Sequence, residues 1–228
     1  EKYLPQLANG EKIPCFGLTG PHNGSDATGQ IDKGRVIKED GELYIDVSIK
    51  KRYITLAPVA NLIGVAFEVE DPHNYLGKTG VTLALIERGH PGLEQNGYHN
   101  PLDTGFPNGT LEGNLRISVN DVIGGVNEIG NGWKMLMECL AAGRGICLPA
   151  TANASSKVAT YSMYLYAKHR VQFKMPLIEM EAIQNKLANM VYNTWAIQCS
   201  IYLTNYLLDE GEKPAVLSAI MKEQTTER

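Results

Sequence analysis

The chain has 228 residues, 43% of them hydrophobic, with 25 acidic against 21 basic side chains and a net charge of −4. That length allows one large domain or two small ones with an ample core, and the mild negative balance argues against a surface built for nucleic acid or anionic lipid. No apolar run is long enough to cross a membrane, the opening EKYLPQLANGEK has no basic and then apolar leader pattern, and cysteines at 15, 139, 147 and 199 lack both metal-ligand and disulfide-framework spacing, so a zinc module is excluded and a reducing compartment is the default.

In chain order, YLPQLANGE reads as the tail of a helix and its exit loop. A short apolar run, Phe16 to Thr19, finishes a strand and gives way to GPHNGSDATG. From Gly41, Leu43, Ile45, Val47 and Ile49 alternate with Tyr44, Asp46, Ser48 and Lys50, which is a half-buried strand. NLIGVAFEVED (61–71), VTLALIERG (81–89) and NLRISVNDVIGG (114–125) repeat the pattern between turn residues. The stretch from about 12 to 124 is therefore an all-β unit, a sandwich or barrel of short antiparallel strands. After Gly130 the period becomes helical, with Trp133, Leu136, Met137 and Leu140 on one face until Gly143-Arg144-Gly145 interrupts. A second helix is expected over about 147–172, with Pro149 in its first turn, a third over about 178–209, and a fourth from Pro214 that is still running at Arg228. Both ends read as cut from a larger protein.

The glycine-rich stretch after Thr19 exposes backbone amides that can hydrogen-bond a planar or anionic ligand, with Thr19 and Ser25 adding hydroxyls. Local composition alone favours a plain connection between strands. There is no G-x-G-x-x-G, no G-x-x-x-x-G-K-[ST] and no G-x-S-x-G, so Rossmann, P-loop and nucleophile-elbow readings fail. The five histidines show no ligand spacing. Lys50-Lys51-Arg52 reads as a solvated strand edge.

Four blocks carry a family resemblance. LTGPHNGSDATG resembles the first signature of the acyl-CoA dehydrogenases, and RYITLAPVA (52–60) resembles their second flavin strand. LAAGRG (140–145) and YAKHRVQFKMPLIEMEAIQNKLANM (166–190) resemble their paired C-terminal helices with an Arg-x-x-Phe turn. KRYITLAPVA, GRGICLPA and GEKPAVLSAI are most similar to the long bacterial fatty-acid β-oxidation members, although Gly20 replaces the family's usual glutamate. The fold implied is multidomain α+β: residues 1–11 the tail of an N-terminal helical domain, 12–126 a middle antiparallel β sandwich or barrel, and 127–228 part of a C-terminal helical bundle.

The resemblance implies FAD lying between the β domain and the helices. Phe16, Leu18, Thr19, Gly24 and Ser25 match positions along its ring and pyrophosphate, Ser25 also touching acyl-CoA. Tyr53, Ile54 and Thr55 match the strand backing the ring. Arg170, Gln172 and Phe173 match a turn reaching the FAD of a neighbouring subunit, where a planar guanidinium suits a pyrophosphate. Gly143 and Arg144 match positions near the acyl chain and its CoA arm. Taken alone, Tyr53 is an ordinary strand aromatic and Arg170 a cation near a helix C-terminus.

The activity implied is α,β-dehydrogenation of fatty acyl-CoA to trans-2-enoyl-CoA, with electron-transfer flavoprotein as acceptor, in a cytoplasmic homo-oligomer, peripheral to the membrane at most. No metal is expected. A minority of the family carries the glutamate base immediately before the arginine of LAAGRG, but that position is Gly143, so the base is expected downstream of Arg228. Rival readings are an acyl-CoA oxidase and a DNA-associated flavoprotein of the same fold, the latter disfavoured by the charge balance.

Overall fold

The structure, a computed structural model, describes residues 2–227, with backbone only at positions 141 and 142. Glu1 and Arg228, the outer limits of the expected segments, and the side chains of Ala141 and Ala142 in the LAAGRG block lie outside the described residues. The chain divides into two compact units, Glu1–Met135 and Leu136–Arg228.

The first unit opens with a short helix, α1 (Leu4–Ala8), followed by seven strands: β1 (Pro14–Gly17), β2 (Lys33–Glu39), β3 (Glu42–Thr55), β4 (Leu62–Glu70), β5 (Gly80–Glu87), β6 (Leu93–Tyr98) and β7 (Asn108–Ser118). They form one curled sheet in the order β1-β4-β2-β3-β7-β6, with β5 on β4. The expected all-antiparallel arrangement is corrected to a mixed one, because β1 and β2 both run parallel to β4. Side-chain alternation records which face of a strand is buried but not which neighbour it pairs with, so the two parallel ladders leave no local mark. Val36, Ile45, Ile63, Val65, Phe67, Leu111 and Ile117 are fully buried and build the core.

β1 pairs with residues 62–65 of β4 and β2 with residues 68–70, while β5 covers the other edge. Two residues of β4, 66 and 67, therefore separate the end of β1 from the start of β2, a step of about 10 Å along the strand. The chain crosses that gap with residues 18–32. The glycine-rich stretch is thus far longer than the connection requires.

The helical unit takes up within α2 (Gly132–Ala142), which runs into one π-helical turn at Gly143–Cys147 and then into α3 (Leu148–His169). The second helix ends three residues earlier than its period suggests, because Arg170 turns extended (φ −75°, ψ 120°) and a hairpin, β8 (Val171–Gln172) and β9 (Met175–Pro176), follows. A 3₁₀ turn at Leu177–Glu179 leads into α4 (Glu181–Asp209), and α5 (Ala215–Glu227) closes the described chain. α3 lies against α4, where Asn153 Nδ2 donates to Gln198 Oε1 at 2.7 Å and Thr160 meets Thr194. Ile197, Ile201 and Met221 form a small core between α4 and α5. Gly145 abuts α5 so closely that a Cβ there would stand 2.8 Å from Ser218 Oγ and 3.0 Å from its Cβ.

Candidate functional site

Two of the sequence motifs meet on the sheet unit. The Arg52 N–H donates to Thr19 O at 2.9 Å, which sets the end of the β1 segment beside the Tyr53-Ile54-Thr55 end of β3. Phe16 projects from β1 over the bare Cα of Gly64, where a Cβ would stand 2.8 Å from its ring. Leu18 and Thr19 are half-buried, whereas Gly24 and Ser25 are exposed farther around the loop. A Cβ on Gly24 would meet nothing within 4 Å, so space is open there.

The Tyr-Ile-Thr end is not regular strand. Its pairing with β7 shifts register between Lys51 and Ile54, and Tyr53 (φ 60°) and Leu56 (φ 65°) both adopt left-handed backbone. Neither is glycine, so each residue costs about 1–2 kcal/mol in this conformation. The bulge lets Tyr53 stand half exposed between the Arg52 guanidinium, 5.0 Å from its ring centroid, and the His99 imidazole, 4.7 Å away at 52°. Ile54 stays buried, and Thr55 pairs with Asn108 of β7. Buried polar atoms without a protein partner collect here: His99 Nε2 and Asn108 Oδ1. Both atoms lie below the surface, so what this end of β3 offers a planar group such as an isoalloxazine ring is the exposed face of Tyr53 itself. His99 and Asn108 were not legible as neighbours of this motif, since nothing in their sequence spacing links them to Tyr53.

The loop is fastened from beneath. Asn23, 4% exposed, donates through Nδ2 to Leu18 O at 3.0 Å and to Ala27 O at 2.9 Å, and its own carbonyl accepts from Gly20 N–H. A Cβ on Gly20 would sit 2.7 Å from Lys50 O, so a side chain at this position requires the loop to lift from β3. The solvated edge expected at Lys50-Lys51-Arg52 is corrected at its centre: Lys50 and Arg52 are exposed, but Lys51 is completely buried. It continues the inward alternation of Ile45, Val47 and Ile49. Lys51 Nζ lies 2.7 Å from Asp32 Oδ2 and donates to Leu18 O at 3.3 Å. Burial pulls its ammonium below the ordinary lysine value, opposed by the charge and hydrogen bond of Asp32.

In the helical unit, Gly143 is exposed and Arg144 half-buried in the π turn, with Arg144 Nε reaching Ser218 Oγ at 3.4 Å. Such turns are frequent at functional sites. Arg170, Gln172 and Phe173 occupy the β8–β9 hairpin, and all are exposed. Its two tip residues, Phe173 (φ 50°) and Lys174 (φ 66°), form a turn of the kind usually built from Asn-Gly. The Phe173 ring is 88% exposed.

Residues 130–228 match the family described as "Acyl-CoA dehydrogenase, C-terminal domain". The chain is 30% identical over 225 residues to "Acyl-CoA dehydrogenase, short-chain specific" of Megasphaera elsdenii, covering 97% of this chain and 56% of that protein. The chain belongs to the acyl-CoA dehydrogenase family. It is also similar to "3-(aryl)acrylate reductase" of Clostridium sporogenes (strain ATCC 15579), 33% identical over 219 residues, covering 93% of this chain and 54% of the relative. Among solved structures, butyryl-CoA dehydrogenase from Megasphaera elsdenii superposes with a TM-score of 0.80 at 28% identity, covering 100% of this chain and 57% of that one. The chain thus spans about half the length of these acyl-CoA dehydrogenase relatives.

Proposed function

We propose that this chain is the cofactor-holding part of an FAD-dependent enzyme that converts acyl-CoA to trans-2-enoyl-CoA, of the long bacterial fatty-acid β-oxidation type. The observation that carries the reading is the hydrogen bond from Arg52 N–H to Thr19 O, which joins the Gly-Ser-Asp loop to the Tyr-Ile-Thr bulge. In this reading Phe16, Leu18, Thr19, Gly24 and Ser25 hold one side of the cofactor, and Tyr53, Ile54 and Thr55 back its ring. Arg170, Gln172 and Phe173 reach the cofactor of a neighbouring subunit, so the enzyme is a homo-oligomer. Ser25, Gly143 and Arg144 meet the acyl-CoA. Residues 12–126 serve as the middle β domain and 127–228 as part of the helical one, with electron-transfer flavoprotein as acceptor.

When bound, FAD supplies the acceptor for the hydride that leaves the β-carbon. The protein must do the rest: hold the thioester so that charge developing on its carbonyl meets fixed donors, keep water away, and take the α-proton on a carboxylate. Gly143 has no carboxylate to offer before Arg144, and we assign that base to sequence downstream of Arg228. Similarity to an arylacrylate reductase favours a second reading, the same flavin chemistry run towards reduction of a conjugated double bond.

The full-length gene product, purified gently, should carry yellow flavin that bleaches anaerobically on adding a saturated acyl-CoA. The isolated 228-residue polypeptide should not bleach, because it lacks the base. A full-length protein that stays colourless in excess FAD overturns the assignment. Reduced flavin that is reoxidised by an arylacrylate, with no bleaching by any saturated acyl-CoA, selects the second reading.

A further inference from the structure

We infer that Lys51 is a positioning residue for the cofactor loop: paired with Asp32 and helped by Asn23, it clamps the Leu18–Thr19 peptide and sets where the hydroxyl and N–H of Thr19 are held. This rests on the flavin reading above. Lys51 spans the gap between the end of β1 and the start of β2 from the buried face of β3. Its stem passes under Gly17, where a Cβ would stand 3.1 Å from Lys51 Cγ. Its ammonium then touches both ends of the excursion. One end is Leu18 O, where the loop leaves the sheet. The other is Asp32, whose carboxylate also accepts the Lys50 N–H at 3.2 Å and whose carbonyl accepts the Glu68 N–H at 2.8 Å as the chain rejoins β4.

A buried ion pair is a poor source of stability, and a methionine would fill the same space without the desolvation cost. What lysine adds is a charged donor at one carbonyl. Leu18 O receives that donor and the Asn23 amide together, which fixes the peptide plane. Hydrogen bonds to a carbonyl also polarise its peptide, so the Thr19 N–H becomes the stronger donor. The clamp thus sharpens both the place and the strength of the groups the loop offers.

The test uses the full-length protein and two variants, Lys51→Met and the double variant Lys51→Met/Asp32→Asn, which removes both charges and protects folding. Hydrogen exchange across residues 18–29 is compared with that across Tyr44–Ile49 of β3, and FAD affinity is followed by flavin fluorescence. In the double variant, exchange in the loop should accelerate about ten-fold or more while β3 is unchanged, and the FAD dissociation constant should rise by a similar factor. Unchanged loop exchange overturns the clamp, whatever the flavin does. Faster exchange with unaltered FAD affinity overturns its service to the cofactor. If the unmutated protein binds no FAD, the flavin reading falls, and exchange alone then decides whether Lys51 holds the loop.

Discussion

The loop over residues 18–32 and the hairpin over residues 171–176 both carry residues assigned to the cofactor, yet they are held in opposite ways. The loop is long, and side chains tie it down: Asn23 from within it and Lys51 from β3 converge on one carbonyl, and Asp32 anchors the return. The hairpin is the shortest possible, and its two tip residues sit in left-handed backbone with no buried side chain of their own. Length was offset by side-chain bonds in one case and avoided through backbone strain in the other. A substitution that removes a side-chain bond should therefore damage the loop, whereas one that relieves strain should improve the hairpin.

The largest effect is expected at Asn23. Its amide makes two bonds to backbone carbonyls from a buried position, and Asn23→Ala leaves Ala27 O without that donor and Leu18 O with Lys51 alone. The cost should be about 2–3 kcal/mol, read from chemical denaturation of the sheet unit, and the loop should become the first site of limited proteolysis. An unaltered midpoint would show that the loop is held elsewhere.

How much of this was legible in the sequence follows from what local patterns record. The change from period 2 to period 3.6 near Gly130 identified a β unit followed by helices. The alternation through Leu43, Ile45, Val47 and Ile49 gave the inward face of β3 correctly and, carried one step farther, points Lys51 inward as well. Grouping Lys51 with its two exposed neighbours as a charge run hid that, because charge was weighed and phase was not. The bulge at Tyr53 left no signal, since an aromatic in a β-rich stretch reads as strand and a positive φ is imposed by the partner strand β7. The early end of α3 went unseen for a similar reason: Arg170 and Val171 are tolerable in a helix, and the hairpin that claims them is completed only at Pro176. The family resemblance, in contrast, rests on short strings whose side chains are mostly exposed, which is where sequence is least constrained by packing.

A second test concerns the strand that feeds the loop. Cys15 on β1 is buried, and burial pushes its thiol up to about 11 from an ordinary 9.0. Between those values the unfolded chain releases a proton that the folded chain retains. Stability from this group is therefore complete below pH 9 and falls as pH rises towards 11, by about 2–3 kcal/mol. Lys51 acts with the opposite sign: its value is lowered on folding, so the folded chain loses that proton first and stability rises through the range below 10.5. The two trends overlap in the intact protein. Subtracting the unfolding free energy of Cys15→Ala isolates the cysteine, and the difference between the two proteins should shrink across pH 9–11. A difference that stays flat would mean the thiol reaches solvent, and β1 would then be too loose to anchor the loop.

The smallest effect is expected at the hairpin tip. A left-handed conformation costs a side-chain-bearing residue about 1–2 kcal/mol, and glycine adopts it freely. Lys174→Gly should relieve that strain but also give the unfolded chain more freedom, worth about 0.4–1 kcal/mol in the other direction. The expected net is a gain of about 0.5–1 kcal/mol, measurable as a small upward shift in Tm. At the loop, by contrast, no glycine substitution can help, because what holds it is side-chain chemistry. If Lys174→Gly instead lowers stability while Phe173 stays equally exposed, the tip is stabilised by contacts of the Lys174 side chain. The contrast between a bonded loop and a strained hairpin would then give way to a common mechanism in which side chains hold both.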